Sequence, residues 1–153
     1  MNIHTYLKNV IEKNILLHTG GEAFFNALDA EIRTPMFFQE LVRVLPEGSI
    51  IVISGKFGHA FRQYLHKTKH TLSSILINGS LRHKEPVKIL ENKYLISENS
   101  LIFIDDSFYS GKTFRAIKQT IELHNGNMNK AIVIYDGSKQ KLPYINSFYR
   151  YYN

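Results

Sequence analysis

Three runs of consecutive apolar residues constrain this chain more than any other feature. They are Ser49-Ile50-Ile51-Val52-Ile53-Ser54, Leu101-Ile102-Phe103-Ile104 and Ala131-Ile132-Val133-Ile134-Tyr135. Their apolar residues do not alternate with polar ones, so a strand made from any of them is apolar on both faces and needs cover on both sides. Helical patterns supply that cover. Phe57, Ala60, Phe61, Tyr64 and Leu65 recur at helical spacing after the first run, and Phe114, Ile117 and Ile121 after the second. Strand, helix and strand in repetition predict an α/β fold: a mostly parallel, twisted sheet flanked by helices.

The remaining segments fit around that core. Ile3, Leu7, Val10, Ile11 and Ile15 form one stripe of a helix over residues 3–17, stopped by Thr19-Gly20-Gly21. Residues 22–34 are ambiguous, with Glu22-Ala23-Phe24-Phe25 read as a short strand. Thr34-Pro35 reads as a capped helix start, and Phe38, Leu41, Val42 and Leu45 give that helix its apolar face before the turn at Pro46-Glu47-Gly48. Ser74 to Ile77 make a short strand. Residues 78–92 are polar, contain Gly79 and Pro86, and read as a long loop of the kind that often serves as a lid. A helix is expected over 111–125, turned by Asn125-Gly126-Asn127. Residues 138–153 are polar and aromatic, and their pattern assigns them to no element.

Composition narrows the chemistry. With 153 residues and 44% apolar content, the chain can bury a real core. It has no cysteine, which excludes disulfides, thiolate catalysis and cysteine-based zinc sites. No charged stretch leads into an apolar core at Met1 to Tyr6, and no apolar run approaches membrane-spanning length, so a cytoplasmic protein is expected. The net charge of +6 favours anionic ligands without naming them. Basic residues concentrate mildly at Arg62–His70 and Arg82–Lys93. They are not interleaved with aromatics, so nucleic acid is a possible partner but not the favoured one.

The segment following the second apolar run carries the most chemistry: Asp105-Asp106-Ser107-Phe108-Tyr109-Ser110-Gly111-Lys112-Thr113. Two carboxylates at a strand end can accept sugar hydroxyls or face a metal. The hydroxyl-glycine-hydroxyl loop then enters a helix whose first N–H groups suit a phosphate. Together they suit a phosphorylated sugar. Gly-Lys-Thr also ends the nucleotide triphosphatase P-loop, but that motif needs glycine where this chain has Asp106. A simpler reading makes the acids helix caps, a role aspartate often fills.

This order resembles the 5-phosphoribosyl-1-pyrophosphate (PRPP) motif of type I phosphoribosyltransferases. The resemblance implies that Asp105 and Asp106 hold the ribose hydroxyls and that Ser110, Gly111, Lys112 and Thr113 wrap the 5′-phosphate. The family usually has a small residue where this chain has Lys112. Gly55-Lys56-Phe57-Gly58, after the first strand, matches the place of the family's pyrophosphate loop, so Gly55, Lys56 and Gly58 are expected to bind PRPP. Arg82 and Lys84 on the long loop would close over the leaving pyrophosphate, while His59, His83 and Lys88 are set aside.

The resemblance is nearest to the orotate branch, through the N-terminal helix, Phe24-Phe25-Asn26, Arg82-His83-Lys84 and the strand into Asp136. That branch usually follows the last strand with Asp-Arg; here Gly137 and Ser138 follow Asp136. The implied organisation is a single domain, with a small N-terminal hood over 1–47, an α/β core over 48–137 and a tail over 138–153. The implied activity is phosphoribosyl transfer from Mg-PRPP to a nitrogenous base, with Mg²⁺ held mainly by PRPP and water, in a homodimer. The alternative is a non-catalytic PRPP- or RNA-binding regulator on the same fold.

Overall fold

A computed structural model of the chain describes residues 3–17, 28–78 and 87–152, with nothing said of the side chains of 14–17. The expected stop at Thr19-Gly20-Gly21, the strand at Glu22–Phe25, the side chain of Ile15 and the cations Arg82, His83 and Lys84 lie outside what is described. The chain divides into two compact units, Met1–Pro46 and Glu47–Asn153.

The first unit is helical. Helix α1 (Ile3–Leu17) buries Ile3, Leu7, Val10 and Ile11, the expected stripe. Residues 28–32 are helical too and bury Leu28 and Ile32. Helix α2 (Pro35–Val44) begins as its sequence dictates. The Thr34 side chain accepts from the Phe37 N–H at 3.3 Å, and Pro35 occupies the first turn, where its missing N–H is not needed. Pro46 ends it by holding Leu45 extended, at φ −75° and ψ 143°. Its buried face is Phe37, Phe38 and Leu41, with Val42 only half-buried. Phe37 also meets the ring of Tyr6 at 6.5 Å.

The second unit is the α/β body: β1 (Ile50–Ser54), α3 (Gly55–Lys67), β2 (Ser73–Asn78), β3 (Lys88–Glu91), β4 (Ser100–Phe108), α4 (Lys112–Leu123), β5 (Asn127–Asp136) and β6 (Ile145–Arg150). The strands form one sheet in the order β3-β2-β1-β4-β5-β6. All neighbours run parallel except β3, which is antiparallel to β2.

Register places the two helices on opposite faces. Val52 pairs with Phe103, and Phe103 meets Phe114 of α4 with ring centroids 5.8 Å apart. Ile53 pairs with Ile104 on the other face, where Gly58 of α3 approaches so closely that a Cβ there would lie 2.9 Å from the Ile53 carbonyl carbon. The apolar runs are therefore covered on both sides, as they require. Val52, Ile75, Ile77, Leu101, Phe103, Ala131 and Val133 bury one face against Phe114, Ile117 and Ile121.

Several elements differ from the sequence reading. Of the residues expected as a long loop, Lys88–Glu91 zips onto β2 as an edge strand. Strand β4 runs on through Phe108, drawn by pairing of Asp105, Ser107 and Phe108 with Val133, Tyr135 and Asp136. Gly55 to Gly58 form no loop: β1 passes directly into the first turn of α3. The tail contributes a sixth strand, parallel to β5 and reached without an intervening helix.

Candidate functional site

The sheet order reverses between β1 and β4. From β1 the chain proceeds outward through β2 to β3, and from β4 it proceeds the other way through β5 to β6. In open α/β sheets, ligands bind at the carboxyl ends of the strands flanking such a reversal, where the loops diverge and leave a crevice. The registered pair Ile53–Ile104 brings the ends of these two strands together. Next in the chain come Ser54-Gly55-Lys56 on one side and Asp105-Asp106 on the other. Two helix N-termini, of α3 and of α4, also open at this edge.

Asp105 and Asp106 are both half-buried. Because they lie inside the extended β4, their side chains leave opposite faces of the sheet, Asp105 with Phe103 and Asp106 with Ile104. An Asp105 carboxylate oxygen accepts the Asp106 N–H at 2.8 Å, and the Ser107 hydroxyl donates to Asp106 at 3.2 Å. These bonds fix the carboxylates within β4, just before its end at Phe108.

The Ser110-Gly111-Lys112-Thr113 segment follows. Gly111 caps α4 with φ at +80°, a left-handed conformation in which a side chain is strained. A Cβ there would also lie 3.1 Å from the buried Phe108 ring and 2.9 Å from the Arg115 guanidinium. The Lys112 N–H has only a long bond, 3.4 Å, to the Ser110 hydroxyl. The amides of the helix's first turn have no intrahelical acceptor, so they face outward at the positive end of the helix. Ser110 and Lys112 are exposed and Thr113 is half-buried. Arg115, which the sequence reading passed over, donates to the Ser110 carbonyl at 3.0 Å and ties the loop to the helix. A cation one turn into a helix that follows a phosphate-type loop is the signal that could have found it.

On the other side of the crevice, Gly55 has φ +67°, which turns β1 straight into α3, and Lys56 is exposed beside it. Gly58 is buried, and its missing side chain is what lets the helix approach β1.

Strand β6 brings to the end of β5 an arginine that the sequence lacks at that step. Asp136, 2% exposed, receives Arg150 of β6 at 2.8 Å, together with the Ser138 N–H and hydroxyl at 2.9 and 2.6 Å. Arg150 also reaches the Ser138 hydroxyl and the Lys139 carbonyl. The register pair Asp136–Arg150 creates this contact across fourteen residues of sequence, beyond the reach of local motif reading. Nearby, Tyr135 stacks on Tyr149 at 5.7 Å and meets Tyr109 at 6.1 Å. Gly137 leaves room for the Tyr109 ring, which a Cβ there would meet at 2.3 Å. Burial first, then the neighbouring Tyr149, Tyr151, Tyr152 and Asp136, push the Tyr135 hydroxyl up to about 12, so it stays protonated at ordinary pH.

Among the described residues, no group of three or more His, Cys, Asp or Glu is placed to hold a metal ion. Asp105 and Asp106 supply carboxylate oxygens, a donor type Mg²⁺ accepts, but too few to hold the ion by themselves. No described helix is long and apolar enough to cross a membrane.

No family model matches the chain, and no curated protein matches its sequence. Solved structures do resemble it. A hypoxanthine phosphoribosyltransferase from Staphylococcus aureus matches with a TM-score of 0.50 at 16% identity, over 80% of this chain and 74% of that one. A hypoxanthine-guanine phosphoribosyltransferase from Bacillus anthracis matches with a TM-score of 0.50 at 20% identity, over 80% and 77%. Both are hypoxanthine enzymes, so these likenesses do not single out the orotate branch. At such identities the likeness concerns architecture: the chain has the fold of type I phosphoribosyltransferases.

Proposed function

We propose that the protein binds Mg-PRPP at the β1–β4 crevice and transfers its phosphoribosyl group to a nitrogenous base, releasing pyrophosphate. The observation that carries this reading is the switch point itself, where Asp105-Asp106 lies between two helix N-termini, each opened by a glycine with positive φ. In this reading the amides of Gly111, Lys112 and Thr113, with the Ser110 and Thr113 hydroxyls, take the 5′-phosphate. Asp105 and Asp106 hold the ribose hydroxyls and favour positive charge developing at C1. Gly55 and Lys56, at the head of α3, receive the pyrophosphate, and Gly58 sets how close that helix comes. Arg82 and Lys84 would cover the leaving group and exclude water.

The bond from C1 to the pyrophosphate oxygen breaks, and a ring nitrogen of the base bonds to C1 and sheds its proton to solvent. Bound Mg²⁺ would supply charge neutralisation on the pyrophosphate. The protein's work is otherwise orientation and fixed charge. Tyr109 and Tyr149, at the ends of β4 and β6, offer planar faces for a base, with the buried Tyr135 packed against both. Arg150 is engaged by Asp136, so a carboxylated base such as orotate finds no free arginine there. Uncharged bases fit better.

Turnover tests the reading. With Mg-PRPP present, pyrophosphate should be released only when a base from a purine and pyrimidine panel is added. Asp105→Asn/Asp106→Asn should abolish it. PRPP binding without release for any base would favour the regulatory alternative.

A further inference from the structure

At the opposite edge of the sheet, where β2 begins, the fold assembles a basic hollow that no part of the proposed reaction uses. It has a volume of about 380 Å³, and His66, Lys69, His70, Asn92 and Tyr94 line it with no acidic side chain. The pairing of β3 with β2 builds it, bringing the Arg62–His70 and Lys88–Lys93 stretches together. The Asn92 amide donates to the Ser74 carbonyl at 2.8 Å and fixes the join. Glu91, the acid of these two stretches, lies outside the lining and is paired with Arg62 at 2.6 Å, so Lys69 is the formal charge of the hollow itself. Lys67 and Lys93 are exposed in the same two stretches.

Three details suggest more than solvated lysines. Helix α3 ends in a Schellman turn, with the His70 N–H bonded to the Leu65 carbonyl at 2.9 Å and the Lys69 N–H to the His66 carbonyl at 3.1 Å. The left-handed position of that turn normally holds glycine, yet here it holds Lys69 at φ +51°. The helix dipole does not demand this cation, because His66 and Lys67 already occupy the last turn. His70 accepts the Leu72 N–H on Nδ1 at 3.0 Å, which leaves its ring proton on Nε2 as a donor. Tyr94 stands 79% exposed at the rim, an aromatic face with no packing role.

We infer that this hollow is a binding surface for single-stranded nucleic acid, with phosphates on Lys69 and its basic neighbours and a base stacked on Tyr94. Charge complementarity and the exposed ring favour an extended polyanion, whose successive phosphates and bases match a cationic groove with an aromatic platform. The surface is independent of the PRPP reading and lies at the other end of the strands.

The test is fluorescence anisotropy with labelled oligouridine and oligothymidine, each titrated with the full chain across a salt series. Binding to either oligomer should weaken with salt by a log–log slope of about −0.7 per phosphate neutralised. Tyr94→Ala should weaken it about ten-fold, the effect of losing one stacked base. Lys69→Gly, which suits the left-handed turn and so keeps the fold, should make the slope shallower by about 0.7. Neither variant should change the thermal response to Mg-PRPP, so failure here is separable from failure of the proposed function. The inference is overturned if neither oligomer binds, if both variants bind like the wild type, or if a duplex of equal length binds as tightly.

Discussion

Gly111→Ala is the sharpest single perturbation of the turn that leads from β4 into α4. At φ +80° an alanine is strained, at a cost of about 1–2 kcal/mol. Its Cβ would also sit 3.1 Å from Phe108 and 2.9 Å from Arg115. Arg115 can swing away, forfeiting its bond to the Ser110 carbonyl at roughly 1 kcal/mol. Phe108 cannot, being 5% exposed in the core, and crowding it costs about 1 kcal/mol more. The expected loss is about 3 kcal/mol, or roughly 6–12 °C in the melting temperature of a chain this size. Urea denaturation followed by circular dichroism measures it. Gly48→Ala is the control, since Gly48 also has φ +75° but a Cβ there meets nothing within 4 Å. It should lose only the conformational part, about 1 kcal/mol. If Gly111→Ala loses no more than Gly48→Ala, the loop is not packed as described.

Three further outcomes follow from the same geometry. Gly58→Ala should destabilise by about 1–2 kcal/mol in urea denaturation, because crowding Ile53 outweighs the gain in helix propensity; a more stable variant would contradict the close approach. Arg150→Gln should cost about 3 kcal/mol by leaving the buried Asp136 carboxylate uncompensated, and adding Asp136→Asn should recover part of it. Tyr135 stabilises the fold fully below pH 10, its ordinary value, and that contribution drains away as pH rises through about 12. Tyr135→Phe should therefore show the shallower loss between pH 9 and 11.5, by on the order of 1–2 kcal/mol, and equal slopes would remove the claim.

The sheet and its main helices were legible because they depend on local pattern. Unalternated runs such as Ile50–Ile53 must be buried, and Thr34-Pro35 carries its own capping chemistry. The Asp-Asp and Ser-Gly-Lys-Thr segment was legible because its parts are contiguous. What escaped depends on register. Lys88–Glu91 looked like loop because an edge strand need bury little, and it is β2 that makes it a strand. Asp105 and Asp106 were expected beyond the strand, yet pairing with β5 carries β4 past them. Gly55-Lys56-Phe57-Gly58 was expected as a loop from its place in the resemblance, although one glycine sets a left-handed φ and the other a helix-to-strand distance. Arg150 reaches Asp136 only through the β5–β6 pairing, which no local motif could reveal.

Thermal unfolding with and without Mg-PRPP, on the wild type and on Asp105→Asn/Asp106→Asn, tests the central claim most directly. At a hundred times its dissociation constant the ligand should add about 2.7 kcal/mol, a rise of roughly 5–10 °C. The account predicts that rise in the wild type and its loss in the double variant. A wild type that melts at the same temperature with and without Mg-PRPP would contradict it.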